Sequence, residues 1–426
     1  MNFSIVILLF FILLSIKKRD TGLMIAAIMQ PMINSFLLID TIGVNLILNL
    51  FFILLYRNEI LSFFKTKNPY RNIYIIYALL ILFSTSIAPI KHYFMSIQDI
   101  LSFTIMPLCA TICFKKQNNL NVFVKLLFYC LLICIFYVLC FEIVQQTNPI
   151  VENAISQNLF NGTLMTKTRF GVKQIQCLFS YHETAGCFFW MIAVFFMWIM
   201  SYYTNLLFSK KYIFIIFILS CICCFFTGSR SSIISLFIGL IPFIKYSKKY
   251  VVLLFSFAFI CIVIFPDYFL NLYNSIIDSN NSSTQGSNLE LRNNQLEISI
   301  YYMLSSLNGA LFGNGHGFTD DFLIGKVAEL AGAESLWFRL MIDEGLLGIA
   351  FMTYIFIYTL KLSYNINKHM IFTVLAFIFA KSIAVVPCIE VSWLFIFVVY
   401  FRNLKLSRNQ LLYSSNMLKK QKVHSF

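Results

Sequence analysis

The sequence predicts an all-α, polytopic integral membrane protein with about 12 to 13 transmembrane helices. Hydrophobic residues make up 59% of the 426 positions, and 48 of the residues are Phe. The mean hydropathy is +0.80, and apolar stretches recur near the roughly 20-residue length that a helix needs to cross a bilayer. A water-soluble domain of this size could not bury so much apolar surface.

The predicted spans are continuous apolar stretches, which favour helices surrounded by lipid or by protein. The first stretch lacks a small-residue cleavage site and its cations follow it, which indicates an uncleaved helix with its N-terminus outside. The thirteen stretches lie at about 3–16, 22–39, 41–56, 73–90, 93–114, 122–144, 179–204, 212–227, 231–245, 250–270, 338–360, 369–388 and 389–401.

Lys and Arg are distributed unevenly over the connecting loops. When successive loops are assigned alternately to the two sides of the membrane, all but nine of the 32 cations fall on one side. Because cations accumulate in cytoplasmic loops, that side is predicted to be cytoplasmic. The net charge of +14 is therefore mainly a topology signal. The basic tail is expected to lie against anionic membrane lipids, and nucleic acid is not an expected partner.

This assignment divides the chain into six parts. Transmembrane helices are predicted in residues 1–144, 179–270 and 338–401, and a basic cytoplasmic tail in 402–426. Residues 145–178 and 271–337 are long polar external segments, which places the function at the external side. In the second segment, apolar residues recur at helical spacing from Asn288 to Leu307. They predict an amphipathic helix that lies on the outer surface or caps a cavity.

Nine cations remain on the side predicted to be external, and four of them are arginines. The planar guanidinium group binds phosphate oxygens in a bidentate way that Lys cannot match, so these residues indicate an anionic ligand. The nine are Lys91, Lys167, Arg169, Lys173, Arg230, Arg292, Lys326, Arg339 and Lys381.

Arg230 lies in the sequence TGSRSS, at a predicted external turn between two helices. Ser229, Ser231 and Ser232 are candidate caps for the second helix, and a cation beside a helix N-terminus favours phosphate binding. The alternative is an arginine that reaches the lipid headgroups.

Arg292 and Arg339 are further candidate contacts to an anionic substrate. Arg292 falls on the predicted external helix, and Arg339 follows Trp337 at an external helix end. An intrahelical salt bridge to Glu290 or Glu297 would equally explain Arg292. An interfacial anchor would explain Arg339.

Glu334 is expected at the outer mouth of a transmembrane helix, where a carboxylate could accept a proton from a sugar hydroxyl. A helix N-cap is the alternative. Asp99, His182 with Glu183, and Lys381 are ionisable residues within or at the ends of predicted helices. Such residues are costly in lipid and usually face a functional interior.

Glycines mark two further positions. The segment FGNGHGF, residues 312–318, has three possible interpretations. It could be a turn that lets the backbone approach a phosphate, a turn that lets it approach a helix end, or a plain loop. Gly345 and Gly348 have a spacing that permits close helix packing.

No metal and no cofactor are expected. The cysteines lie mainly inside apolar stretches, without a CxxC pair of the metal-binding type or a loop framework of disulfides. The five histidines lack the spacing of zinc ligands.

Four segments in this order resemble the bacterial O-antigen polymerase and ligase family, over about residues 170–350. Residues 173–186, KQIQCLFSYHETAG, are similar to a Phe-x-His-Pro-x-x-x-Gly helix start, with Tyr181 and His182 replacing His and Pro. TGSRSS is similar to a Ser-Arg-Ser turn, and LRNNQLEISIYYMLSSLNGALFGNGHGF to an Arg-led helix ending in Phe-Gly-x-Gly. ESLWFRLMIDEGLLG has the spacings of His-Asn-x-x-Leu-x-x-Leu-x-Glu-x-Gly-Leu-x-Gly, with Glu334 and Ser335 replacing His and Asn.

The resemblance implies a GT-C-like glycosyltransferase of the bacterial inner membrane, whose active site faces the periplasm or the cell exterior. It implies polymerisation of O-antigen or capsule, by transfer of a growing glycan from undecaprenyl diphosphate to an incoming lipid-linked repeat unit. Arg230 and Arg292 would hold the diphosphate, and Glu334 would orient or deprotonate the acceptor hydroxyl. A further Arg of the family falls on Gln174, so its role passes to Lys173 or Arg169.

The resemblance also implies partners and further contacts. The expected partners are undecaprenyl diphosphate-linked oligosaccharide, membrane lipids and a protein that regulates chain length. Two alternative functions stay open, a ligase that transfers glycan to lipid A core or protein, and a flippase or transporter of the same lipid-linked sugars. The candidate substrate-binding residues are Arg169, Lys173, His182, Arg339 and Lys381.

Overall fold

The described part of the chain is all-α, as predicted. Its strands are two antiparallel ladders of two residues a side, β1 (Leu38–Ile39) with β2 (Ile42–Gly43), and β3 (Thr168–Arg169) with β4 (Val172–Lys173). The computed structural model describes residues 3–33, 38–39, 42–65, 69–88, 93–138, 142, 168–169, 172–177, 179, 182–202, 210–246, 289–319, 335–383, 391 and 393–407, with scattered positions between 252 and 270.

Helices occupy most of the predicted apolar stretches. The first seven are α1 (Phe3–Lys17), α2 (Arg19–Ile33), α3 (Val44–Leu55), α4 (Arg57–Lys65), α5 (Pro69–Ile87), α6 (Tyr93–Cys113) and α7 (Gln117–Tyr137). Next come α8 (His182–Tyr202), α9 (Lys210–Phe226), α10 (Arg230–Leu240), α11 (Phe243–Tyr246), α12 (Leu289–Leu304) and α13 (Leu307–Phe312). The last are α14 (Leu336–Asp343), α15 (Gly345–Ile366), a 3-10 turn (Lys368–Met370), α16 (Ile371–Ile383) and α17 (393–407).

Within these residues, four helices are long and apolar enough to cross a membrane. The spans are Tyr70–Ile87, Gln117–Tyr137, His182–Ser201 and Gly345–Ile366. Helices α3 and α4 make a fifth candidate only if they are counted together, because they meet at 75°. Helix α4 lies where the sequence predicts a basic cytoplasmic loop. Arg19 holds it in place through an ion pair to Glu59, 2.6 Å long.

Asp20 joins three helices at the end of the bundle that is predicted to be cytoplasmic. Its carboxylate accepts hydrogen bonds from Lys116 Nζ at 2.8 Å, Asn119 Nδ2 at 2.8 Å and Tyr56 Oη at 2.9 Å. Burial alone would raise the pKa of Asp20, but the three donors outweigh burial and lower this pKa. The helices α2 and α7 are thereby fastened to the bend between α3 and α4.

Helix α8 is the central helix of the described bundle. Along its apolar span 89% of the residues are buried, against 39% for the span of α5. Its two tryptophans, Trp190 and Trp198, are both buried, and Trp198 Nε1 donates to Thr373 Oγ1 of α16 at 3.0 Å. Helix α8 is thus surrounded by other helices, and the elements packed on it form the core of the described bundle.

The contacts of α8, α10 and α16 show their directions. Gly186 packs on Ser232, and Gly239 packs on Val194, so α8 and α10 run in the same direction. Ser235 Oγ donates to the carbonyl of Ala376, whereas Trp198 contacts both Phe243 and Thr373. The contacts of α10 and the residues after it, taken from Ser235 to Phe243, therefore follow α16 in reverse, from Ala376 to Thr373. Helices α10 and α16 are antiparallel.

The predicted span 338–360 is not one helix. Helix α14 ends at Asp343, and α15 begins at Gly345, whose φ of +62° is in the left-handed region. A Cβ on Gly345 would lie 2.5 Å from the backbone nitrogen of Gly313, so only glycine fits this close approach. The prediction that Gly345 permits close packing is confirmed.

The helix predicted between Asn288 and Leu307 is present as α12, but the prediction of its buried face was incomplete. Gln295, Ser299 and Met303 are buried, whereas Ile300 and Leu304 are exposed. The exposed apolar residues continue into α13 at Leu307, 79% exposed, and at Leu311. Two polar side chains of α12, those of Gln295 and Ser299, thus face the protein, and two of its apolar side chains face outward.

Candidate functional site

Arg230 is the first residue of α10, after a tight turn that depends on a glycine. Gly228 has a φ of +65°, and Ser229 is the N-cap residue. The hydroxyl of Ser229 makes no cap hydrogen bond to the helix, and instead bonds to the hydroxyls of Ser231 at 3.2 Å and Ser232 at 2.9 Å. Of the three candidate caps, Ser229 therefore occupies the N-cap position, but its side chain does not cap α10.

The segment before α8 covers this turn. The amide of Ile175 donates to the carbonyl of Phe226 at 3.2 Å, and Gln174 lies over Gly228. The amides of Gln176 and Cys177 donate to Glu142 Oε1 at 2.8 and 2.6 Å, which fixes the other end of the segment. Arg169 and Lys173 lie in the ladder just before it, but their side chains are outside the described residues.

His182 begins α8 beside the same turn. It is buried, and its Nε2 lies 2.7 Å from Glu183 Oε1. Gly186, one helical turn further on, packs so closely that a Cβ there would lie 2.6 Å from Ser232 Oγ and 2.9 Å from Thr227 Oγ1. The structure therefore places His182 within about one turn of the α10 N-terminus.

Lys381 lies at the same level of the bundle as Arg230. Both residues are five positions, about 7.5 Å of helix rise, from the Ser235–Ala376 contact, toward the same end of the antiparallel pair. Lys381 is only 2% exposed, and its Nζ lies 5.3 Å from the centroid of the Phe377 ring. A buried lysine is costly unless it serves a charged ligand or a partner.

Helix α14 brings Arg339 to this end of the bundle. Trp337 Nε1 donates to Ser382 Oγ at 2.9 Å, and Ser382 follows Lys381. Arg339 is partly exposed two residues after Trp337, and Ser335 is the buried N-cap residue of α14. Glu334, the predicted acid or base, lies outside the described residues. Because the predicted span is broken after Asp343, the acidic residue at the start of the long helix α15 is Glu344.

Arg292 lies on the inward face of α12. Gln295 and Ser299 share that face at helical spacing, and both are buried. Helix α12 packs on α14, and Asn314 Nδ2 joins their C-terminal ends by donating to the carbonyls of Tyr302 and Ile342. The two helices thus run in the same general direction, with Arg292 toward the N-terminal end of α14. We call the end of the bundle that carries Arg230, Arg292 and Lys381 the cation end.

No protein-family model and no curated protein matches this chain. Its own residues therefore carry the assignment of function. Within the described residues, no group of His, Cys, Asp and Glu has the arrangement of a metal site.

A second polar region lies at the other, C-terminal end of α14, a helix of eight residues that is about 12 Å long. His316 Nδ1 lies 2.7 Å from Glu344 Oε1, and its Nε2 lies 2.9 Å from Asp99 Oδ2. His316 and Glu344 are buried, whereas the Asp99 side chain is 34% exposed. We call Asp99, His316 and Glu344, with the adjacent Asp343, the acid–histidine cluster.

The glycine turn before His316 fixes this cluster. The amides of Asn314 and Gly315 donate to the carbonyls of Ile342 at 2.7 Å and Asp343 at 3.1 Å. Asp343 Oδ1 accepts from the amide of Thr319 at 2.8 Å and from its hydroxyl. Of the possibilities left open for FGNGHGF, the structure supports the approach to a helix end, because the turn packs on the α14–α15 junction.

His316 lies between two acidic side chains that favour its protonated form. Burial alone would lower the pKa of His316, but the hydrogen bonds to Asp99 and Glu344 outweigh burial and raise this pKa well above its usual range. The imidazolium then donates to both acids. Three titratable groups form a chain from the partly exposed Asp99 to the buried Glu344, which is an arrangement that can conduct a proton.

Little in the sequence points to this cluster. Asp99 is a single ionisable residue in a predicted helix, and the conspicuous residues of the turn around His316 are its glycines. The bonded pairs are 217 and 28 positions apart, so no local spacing connects them.

Proposed function

We propose that this protein polymerises a cell-surface polysaccharide, O-antigen or capsule, at the outer face of the bacterial inner membrane. The donor would be a growing glycan on undecaprenyl diphosphate, and the acceptor an incoming lipid-linked repeat unit. The observation that carries the proposal is that Lys381 lies level with Arg230, at the end of the bundle predicted to be external, while Arg292 lies on the helix that packs on α14. The proposal includes a GT-C-like architecture with 12 to 13 spans.

The cation end suits a diphosphate leaving group. Arg230 lies where α10 presents amide groups, and Arg292 lies on a polar inward face, so both can approach phosphate oxygens. Lys381 adds a cation from a buried position, where charge interactions are stronger than in water. Cations arranged in advance around a developing anion are commonly the largest catalytic contribution.

The proposed reaction is a direct displacement. The acceptor hydroxyl oxygen bonds to the anomeric carbon of the donor, and the bond from that carbon to the diphosphate oxygen breaks. The hydroxyl proton passes to Glu334, and undecaprenyl diphosphate leaves with the electron pair. Such a displacement inverts the anomeric carbon. Arg169, Lys173, His182 and Arg339 are proposed contacts to the glycan and the diphosphate.

The test is polymer synthesis by purified protein in detergent, with lipid-linked repeat units as the only substrate. We expect wild-type protein to make a ladder of products, and Arg230→Ala or Arg292→Ala to slow synthesis on the order of 100-fold or more. Arg71→Ala is the matched control, because Arg71 is partly exposed at the opposite, predicted cytoplasmic end. Normal ladders from both variants would contradict the proposal.

The acid–histidine cluster favours a second candidate, a proton-coupled transporter of lipid-linked sugars. Buried ionisable chains in membrane proteins commonly conduct protons. A detergent solution has no separate compartments, so a transporter would leave the length of the glycan unchanged. Substrate movement across proteoliposomes that depends on a proton gradient, together with absent polymer, would favour this candidate.

A further inference from the structure

Gln174 is buried with a donor that finds no acceptor among the described residues. The residue is 6% exposed, and its Nε2 is fully buried without a hydrogen-bond partner in this part of the chain. A buried amide nitrogen without an acceptor costs about 1–3 kcal/mol, so folded proteins rarely retain one unless something else binds it. An oxygen-bearing ligand would supply the acceptor.

The amide of Gln174 points to the turn before α10. The closest atom to a Cβ built on Gly228 is Gln174 Nε2, at 2.7 Å. The amide therefore occupies the space that only the absence of a side chain at residue 228 leaves open. The neighbouring backbone bond from Ile175 to Phe226 fixes this arrangement.

The N-terminus of α10 has further donors at the same place. The amide of Ile233 bonds to the carbonyl of Ser229, so the amides of residues 230–232 are the first-turn donors that a helix cannot satisfy itself. The Ser229 side chain does not cap them. These amides, the helix dipole and the nearby Gln174 Nε2 all favour an anion.

We propose that Gln174 donates a hydrogen bond to an oxygen of a diphosphate bound at the N-terminus of α10. The assignment rests on the proposed function, in that a lipid-linked diphosphate is the ligand expected beside Arg230. Gln174 is then a neutral donor that recognises phosphate oxygen without adding charge to a site that already contains cations.

The test is binding of inorganic pyrophosphate to the full-length protein in detergent, by isothermal titration calorimetry. Gln174→Met keeps the length of the side chain but removes the donor, and Gln174→Glu replaces the donor with a negative charge. We expect the first to weaken affinity about ten-fold or more and the second to abolish binding, since a hydrogen bond to a charged group is lost. Gln176→Met, in the same buried segment, is the matched control and should bind normally.

Thermal unfolding without ligand confirms that the compared variants are folded. Wild-type affinity in both Gln174 variants, or no pyrophosphate binding by wild-type protein, would overturn the assignment. Nanodiscs containing phosphatidylglycerol form a parallel arm, in which retained lipid is counted by native mass spectrometry. If Gln174→Met lost bound phosphatidylglycerol but not pyrophosphate affinity, the site would bind a lipid headgroup and the diphosphate assignment would be wrong.

The same measurements separate this inference from the proposed function. Pyrophosphate binding that depends on Gln174, in a protein that makes no polymer, would retain the site and reject the polymerase. Polymer synthesis unaffected in Gln174→Met, with normal pyrophosphate affinity, would retain the polymerase and reject the role of Gln174.

Discussion

The two ends of α14 differ in whether their polar groups satisfy one another. At the acid–histidine cluster, both nitrogens of His316 bond to carboxylates, and Asp343 accepts two hydrogen bonds from Thr319. Near the cation end, Gln174 and Gln295 are both buried, and the Nε2 of each lacks an acceptor among the residues that the structure describes. The groups of the first region thus satisfy one another, whereas the second region has two donors that a ligand could use.

The two regions are therefore different kinds of polar site. A hydrogen-bonded network that is fully satisfied holds elements together, and here it joins α6, the glycine turn and the α14–α15 junction. Unsatisfied buried donors reduce stability and persist where binding requires them. Removing a residue should therefore have opposite consequences for stability in the two regions, which four predictions test.

The largest effect on stability is expected at His316. His316→Ala leaves two carboxylates without their shared partner, and breaking a buried ion pair in this way costs about 3–5 kcal/mol. The measurement is equilibrium unfolding of the purified protein in detergent. His369→Ala, at a partly exposed histidine, is the control and should cost less than about 1 kcal/mol. Equal effects of the two variants would show that the hydrogen bonds of His316 do not stabilise the fold.

A smaller loss is expected from Gly345→Ala. The left-handed backbone disfavours Ala, and its Cβ would meet the backbone of Gly313, so we expect a loss of about 2–4 kcal/mol. Leu346→Ala, at an exposed neighbour, serves as the control in the same unfolding assay. Wild-type stability of Gly345→Ala would mean that the glycine turn does not hold the cluster.

The pH dependence of stability should distinguish the cluster from Asp20. His316 has a raised pKa in the folded protein, so its contribution is complete below the unfolded value of about 6.5 and declines as pH rises toward the folded pKa. The slope is at most about 1.4 kcal/mol per pH unit. Asp20 has a lowered pKa, so its contribution is lost in acid, as pH falls toward the folded value. The free energies of unfolding of wild type and His316→Gln, measured between pH 6 and 9, should converge as pH rises. Parallel curves would contradict the raised pKa of His316.

The smallest change in stability is expected from Gln295→Met at the cation end. Replacing a buried amide that has an unsatisfied donor by an apolar side chain of similar length should be neutral or stabilising, by less than about 1 kcal/mol. Polymer synthesis should nevertheless fall, because Gln295 shares the inward face of α12 with Arg292. Destabilisation by 2 kcal/mol or more, as a rough bound, would show that Gln295 is structural and would remove the contrast between the two regions.

Parts of the candidate site could be predicted from the sequence. Local patterns placed Arg230 at a helix start and Arg292 on a helix, and both positions are confirmed. The side chain of Ser229, one of three candidate caps, does not cap α10 because its hydroxyl has other partners, Ser231 and Ser232, and spacing alone cannot choose between them. The role of Glu334 stays a prediction, because that residue lies outside the described part of the chain.

By itself, the sequence determined the helical class, the presence of spans long enough for a membrane and the uneven distribution of cations over the loops. These properties follow from local composition, because apolar length and loop charge act on each segment separately. Only the tertiary structure decided that Asp99 meets His316, that Lys381 lies level with Arg230 and that polar groups of α12 face inward. Such pairings depend on the direction and packing of helices far apart in the chain, which no single segment encodes.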